Sequence, residues 1–210
     1  MANHYAGNGR RDQSAVVPFS TAEIASQIMM ESDAACRSGR FGLVAPNRFA
    51  VRLHPRDWAA RSDLRAIGRE LERQVEDESM ERGRRMEGPV RVWFEKHPPA
   101  ERGKVEIRAT ERKGRRPAWA CLFLGTKALE ITHNQAVVGR AGHADVIIDH
   151  DSLSPDHALI WWEAGQVRVR DLGSTYGTLV GHETAARSQP IPIGTPIRFG
   201  KVEAQLRLEG

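Results

Sequence analysis

The spacing of apolar and polar positions along the chain changes character near residue 115. Before that point the pattern alternates between helical and extended periods. Ser20-Thr21-Ala22-Glu23 has the form of a capping box, in which a serine hydroxyl and a glutamate carboxylate satisfy the free amides at a helix start. Ile24, Ile28 and Cys36, with Ala25, Met29 and Ala35 beside them, then lie along one helical side, which predicts a helix running to Gly39. Residues 48–54 alternate polar with apolar, the period of a half-buried strand with Phe49, Val51 and Leu53 inward, and Pro55 stops the run. Leu64, Ile67, Leu71 and Val75 recur at spacings of three and four across residues 62–82, predicting an amphipathic helix whose outer face is rich in Arg and Glu. Residues 90–95 and 104–109 alternate again and, joined by the turn-rich HPPAERG, predict a hairpin. The order helix, strand, helix, strand, strand implies an α+β domain with helices on one face of a small sheet.

From Trp119 onward the period is that of strands alone. Short β-type runs occur at residues 119–124, 129–132, 136–138, 146–148, 158–162, 167–169, 178–180, 197–199 and 202–208, with Gly, Asp, Asn, Ser and Pro between them. Many short strands with regular turn signals predict an all-β sandwich. The expected organisation is therefore a disordered basic arm at 1–16, an α+β domain at 17–111, a basic linker at 112–118 and a β-sandwich at 119–210.

Charge sharpens this division. Of the formal net charge of +4, residues 1–118 hold 23 Lys and Arg against 17 Asp and Glu (23 − 17 = +6), and residues 119–210 hold 8 against 10 (8 − 10 = −2). A basic first half is compatible with an Arg-rich solvated surface, or with nucleic acid, anionic lipid or an acidic protein as partner. The cluster around Arg112 and Arg116 can attract phosphates, but it also has the composition of a short, soluble, flexible linker, and without interleaved aromatics nucleic acid is the weaker reading. The two cysteines, Cys36 and Cys121, supply neither a disulfide framework nor a CxxC site, which fits a reducing compartment. No apolar run approaches membrane-spanning length and the polar start has no signal-peptide core, so the expected location is cytoplasmic, with recruitment to the inner face of a membrane only through a partner.

The candidate chemistry lies in three turn clusters within residues 137–178: Gly139-Arg140, Ser154-Pro155-Asp156-His157 and Gly173-Ser174-Thr175-Tyr176-Gly177-Thr178. A phosphate monoester needs a cation, hydroxyl and amide donors, and a rigid frame to hold them. Arg140 offers the guanidinium, Ser154 a hydroxyl, and Thr175 with its neighbouring amides a glycine-flanked turn.

These motifs, in this order and spacing, resemble the forkhead-associated (FHA) domain, whose pattern runs GR, then SxxH, then D-L-x-S-x-N-G-T; the likeness spans residues 119–210. The resemblance implies a phosphothreonine-recognition module in which Arg140 and Ser154 contact phosphate, Thr175 and Tyr176 face the peptide, and Gly139, His157 and Gly177 hold the loops. Departures from the pattern mark where the preference of this chain should shift. Pro155 lacks a side-chain donor and an N–H, Asp156 adds negative charge near the anion, and Tyr176 stands where Asn is usual. Over residues 17–111, the pieces Gly42-Leu43-Val44-Ala45-Pro46-Asn47-Arg48-Phe49, His54-Pro55-Arg56-Asp57-Trp58 and Gly88-Pro89-Val90-Arg91-Val92-Trp93-Phe94-Glu95 resemble the N-terminal domain of the actinobacterial FhaA-like proteins. That resemblance implies an adaptor in Ser/Thr kinase signalling linked to cell-wall synthesis and growth. Its partners would be a membrane Ser/Thr kinase or a phosphorylated membrane protein of peptidoglycan export.

Catalytic motifs are not complete. Gly103-Lys104 and Gly200-Lys201 are each followed by Val rather than the Ser or Thr of a P-loop, and neither HExxH nor GxSxG occurs. The expectation is no enzyme, no cofactor and no metal. Two other readings stay open at this point: a phosphate-independent FHA scaffold, and a nucleic-acid or membrane-surface binder acting through the basic half.

Overall fold

The computed structural model describes residues 19–209, and the basic arm expected at 1–16 lies outside them. Helix α1 (Thr21–Ala34) starts on the expected capping box. The Glu23 N–H donates to Ser20 Oγ at 3.2 Å and the Ser20 N–H to the Glu23 carboxylate at 2.6 Å. The helix ends five residues before Gly39, because the chain instead pairs β1 (Arg37–Ser38) with β2 (Leu43–Val44) as an antiparallel ribbon. Gly39 N–H donates to Gly42 O across its turn at 2.7 Å, so that amide is committed to the ribbon.

Strand β3 (Arg48–Leu53) leads through α2 (Pro55–Ala59) and α3 (Leu64–Glu81) to β4 (Arg91–Lys96) and β5 (Val105–Thr110). The sheet order is β4-β3-β5, with β3 parallel to β4 and antiparallel to β5. The expected hairpin between the last two strands is thus replaced by pairing of both to β3. The physical reason is burial: Phe49, Ala50, Val51 and Leu53 are all fully or almost fully buried, so this most apolar strand takes the centre, and α3 supplies the crossover that a parallel pair requires. Ile24, Ile28, Leu71, Val75 and Met86 close the core against it.

The second half is a two-sheet sandwich. Its strands are β6 (Ala120–Leu124), β7 (Lys127–Ile131), β8 (Ala136–Gly139), β9 (Val146–Ile147), β10 (Ala158–Glu163), β11 (Gln166–Asp171), β12 (Thr178–Val180), β13 (Glu183–Thr184), β14 (Gln189–Pro190), β15 (Pro196–Phe199) and β16 (Val202–Leu208). One sheet runs β13-β12-β15-β16-β6-β7 and the other β14-β11-β10-β8-β9. Leu122, Ile131, Val138, Ile160, Val169, Ile197 and Phe199 fill the space between them. The two-residue strands β13 and β14 carry no alternation that a sequence could display.

The segment read as a flexible basic linker is instead strapped down. Asn47 bonds Arg112 through both ends of its amide, at 2.8 and 3.0 Å, and Gly114 N–H donates to Glu87 O at 2.9 Å. Arg116 is buried: it donates to Gly88 O at 2.7 Å and Thr132 O at 3.1 Å and pairs with Glu76, tying both halves together. A guanidinium with five donors in a fixed fork suits this role, and the burial removes Arg116 from any phosphate-attracting surface. Further ties cross the junction. Arg85 makes a bidentate pair with Asp145 at 2.8 and 2.9 Å and donates to Gln135 O at 3.1 Å. Gln135 reaches back to Gly83 O at 2.6 Å, and Trp162 Nε1 donates to Glu81 at 2.8 Å. No helix among the described residues is long and apolar enough to cross a membrane.

Candidate anion-recognition site

The three turn clusters converge at one end of the sandwich because β8, β10, β11 and β12 all begin or end there. Strand β8 terminates at Gly139, and the Arg140 N–H donates to Ser154 O at 3.0 Å while Ala141 N–H donates to Pro155 O at 3.3 Å. A Cβ at position 139 would drive into the Pro155 carbonyl, so only glycine lets the first two loops come this close.

His157 is the post behind them. It is fully buried, its Nδ1 accepts the Ser154 N–H at 3.1 Å, and its Nε2–H donates to Gly177 O at 3.1 Å, which joins the second loop to the third. These partners fix the neutral Nε2–H tautomer. Burial pushes its pKa down, and the Gly177 carbonyl and Asp171 only partly offset this, so the ring stays below the ordinary value of 6.5. Phe199 packs edge-on against it, with ring centroids 6.0 Å apart.

The third loop is built on Asp171. One carboxylate oxygen accepts the Gly173 and Ser174 amides at 2.9 and 2.7 Å, and the other accepts the Ser174 and Thr178 hydroxyls, both at 2.7 Å. Burial pushes this carboxyl up, but the bonds from Thr178, Ser174 and Gly173 outweigh it and hold Asp171 below its usual range. Gly177, at φ +74, occupies the left-handed region and donates its N–H to Ser174 Oγ at 2.9 Å.

This frame brings Arg140, Ser154 and Thr175 together. Thr175 N–H donates to Ser154 Oγ at 3.1 Å, so the serine oxygen is already used as an acceptor and its O–H is left able to donate. Arg140 is exposed, and among the described residues its guanidinium has neither a hydrogen bond nor an ion pair. Tyr176 is 60% exposed beside them, with Lys201 Nζ 5.8 Å from its ring centroid. Gly139 and His157 are buried behind these loops, and Gly177 is half-buried at the third turn.

Three neighbouring residues were not among the candidates for this site in the sequence. Lys201, on the β15–β16 turn, donates its N–H to Ser152 Oγ at 2.9 Å and adds a cation near Tyr176. His143 Nε2 lies 2.9 Å from Asp156 Oδ1, and Arg40, from the β1–β2 turn, forms an ion pair with the same Asp156. The Gly200-Lys201 dipeptide offered a weak signal for the first. Spacing offered none for Arg40, which arrives from the other half of the chain. A cavity of about 1000 Å³ lies between α3 and the sandwich near Arg73, Asp77, Trp119, Trp162 and Leu208, and none of the three loops lines it. A smaller cleft of about 210 Å³ separates the β1–β2 turn from the loops, and His143, Asp145 and Asp156 form its sandwich wall.

The family model "FHA domain" matches residues 136–200, and the model "FhaA, N-terminal domain" matches residues 11–108. The FHA domain-containing protein FhaB of Mycobacterium tuberculosis is 32% identical over 79 residues, covering 38% of this chain and 51% of the relative. FhaB of Mycolicibacterium smegmatis is 31% identical over 83 residues, covering 40% and 53%. The chain thus spans about half the length of the curated relatives it matches. Among solved structures, Mycobacterium tuberculosis EmbR in complex with a low-affinity phosphopeptide is 23% identical, with a TM-score of 0.41 over 44% of this chain and 25% of that one. The FhaA FHA domain complexed with the intracellular domain of Rv3910 is 24% identical, with a TM-score of 0.38 over 42% of this chain and 99% of that one.

Proposed function

We propose that this chain, whose residues 136–200 match the FHA-domain model and 11–108 the FhaA N-terminal-domain model, is a non-enzymatic adaptor binding phosphothreonine segments of other proteins at the 140, 154 and 175 loops. The observation that carries this reading is an exposed Arg140 guanidinium, without a hydrogen bond or ion pair among the described residues, on a loop bonded to that of Ser154, whose hydroxyl already accepts the Thr175 amide. A cation and a hydroxyl still able to donate, held by loops cross-braced through His157, match the needs of a phosphate dianion. In this reading Thr175 and Tyr176 contact the peptide around the phosphothreonine, and Gly139, His157 and Gly177 keep the loops in register. The wider setting rests on the FhaA-type N-terminal domain: a place downstream of a membrane Ser/Thr kinase, with that kinase or a phosphorylated peptidoglycan-export membrane protein as partner. The protein itself would be cytoplasmic and recruited to the membrane by the partner.

The test is a degenerate peptide library with a fixed central phosphothreonine, matched against phosphoserine and unmodified threonine versions, titrated on wild type and Arg140→Ala. Charge-assisted hydrogen bonds contribute about 1.5–3 kcal/mol, so the variant should lose roughly 10- to 150-fold in affinity. Equal binding of all three peptide classes, unaffected by the variant, would replace phosphothreonine recognition with phosphate-independent docking. Binding that ignores phosphorylation but collapses with added salt would favour a nucleic-acid or membrane surface instead.

A further inference from the structure

The turn joining β1 to β2 is part of the first domain, yet it lies against the recognition end of the second. Phe41 packs on the outer face of the sandwich with Val137, Ala144, Leu159, Trp161 and Leu172. Arg40 sits over the Phe41 ring, 4.9 Å from its centroid, and pairs with Asp156. His143 holds the other side of that carboxylate at 2.9 Å. The Asp156 side chain is only 16% exposed, whereas those of Arg40 and His143 are 61% and 57% exposed. The acid is therefore wedged between a guanidinium and an imidazole at the rim of the loops.

Asp156 follows Ser154 by two residues, so the two Cα atoms lie within about 7.6 Å, two Cα–Cα steps of the chain. That is inside the Debye length of about 8–10 Å at ordinary ionic strength. Coulomb's law at water-like dielectric and about 7 Å gives roughly a threefold affinity penalty per phosphate charge from an uncompensated carboxylate. A bound dianion would feel it twice.

We propose that Arg40 is a recognition residue lent by the N-terminal domain: by neutralising Asp156 it keeps the 154–157 loop receptive to phosphate, so docking of the two domains sets the affinity of the site. Arg40 acts through Asp156 and is a positioning residue. Phe41 is the apolar anchor that places it. This inference rests on the phosphothreonine reading given above.

The experiment uses the full chain and the tightest phosphothreonine peptide selected by wild type from the library, titrated by fluorescence anisotropy at about 50 mM and 1 M salt, where the Debye length is close to 3 Å at the higher value. Arg40→Ala should weaken binding about three- to tenfold at low salt, with the gap closing at high salt, and Arg40→Lys should retain most of the affinity. Asp156→Asn should bind at least as well as wild type, and the Asp156→Asn/Arg40→Ala double variant, which restores the neutral balance, should bind as wild type does. Arg40→Ala equal to wild type at low salt would overturn the proposal. So would a double variant that binds as weakly as Arg40→Ala alone, or a loss that persists at 1 M salt, because that loss would be structural. Arg140→Ala separates the two levels: if no phosphothreonine peptide binds wild type, or if Arg140→Ala binds as wild type does, the recognition reading itself falls. If Arg140→Ala abolishes binding while Arg40→Ala is silent, only the domain coupling falls.

Discussion

Arg116→Met tests whether the two halves form one cooperative unit. Methionine approximates the volume of the arginine stem but removes every donor. The Arg116 side chain is 5% exposed, and its loss leaves the Gly88 and Thr132 carbonyls without the guanidinium bonds of 2.7 and 3.1 Å, as well as an unpaired Glu76. Bonds from a charged donor contribute about 1.5–3 kcal/mol each. Glu76 is 31% exposed and is partly rehydrated, so its share is small. The two carbonyls together give about 3–6 kcal/mol, which for a chain of this size lowers the melting temperature by roughly 6–24 °C. Scanning calorimetry of the full chain should show one transition for wild type, and a lower, split transition for the variant as the sandwich and the α+β half unfold separately. Arg115→Met, one residue away on an exposed position, should change stability by less than about 0.5 kcal/mol. A single, unshifted transition for Arg116→Met would refute the view that this buried guanidinium couples the halves.

The same logic applies at the loops. His157 has a lowered pKa in the folded state, so below its ordinary value of 6.5 the unfolded chain takes up a proton that the folded chain resists. Its contribution is therefore fully present above 6.5 and is lost as the pH falls toward the folded pKa. His157→Gln should be less stable at pH 7.5 but lose less than wild type between pH 7.5 and 5 in urea midpoints, and equal slopes would sink the assignment. Gly139→Ala forces a methyl group against the Pro155 carbonyl and should cost about 1–3 kcal/mol together with most phosphopeptide affinity, while Gly142→Ala, which meets nothing within 4 Å, should leave both unchanged; urea midpoints and peptide titrations decide it.

Much of this architecture could be read before any coordinates. Ser20 and Glu23 announce a helix start because capping chemistry is local, and Phe49, Val51 and Leu53 announce a strand because the period of two is local as well. The partner of that strand was not legible: β4 and β5 have the same alternation, and only the competition for burial decides that both pair with β3. The loop triad Arg140, Ser154 and Thr175 stood out because its residues share a short stretch and a spacing. Arg116 was invisible for the opposite reason, since a buried guanidinium and a solvated one have the same letter and the same basic neighbours. Arg40 shows the same limit across a greater distance, its partner Asp156 being 116 residues further on (156 − 40 = 116).

Phe41 and Arg85 carry a consequence for how these halves can be handled. A fragment of residues 119–210 would uncover the apolar patch of Val137, Leu159 and Leu172 that Phe41 now helps cover, and would leave the Asp145 carboxylate facing water without its arginine. A fragment ending near residue 111 would strand Arg85 and Glu81 in the same way. Each half has thus been written for the company of the other, and its surface chemistry is complete only in the intact chain.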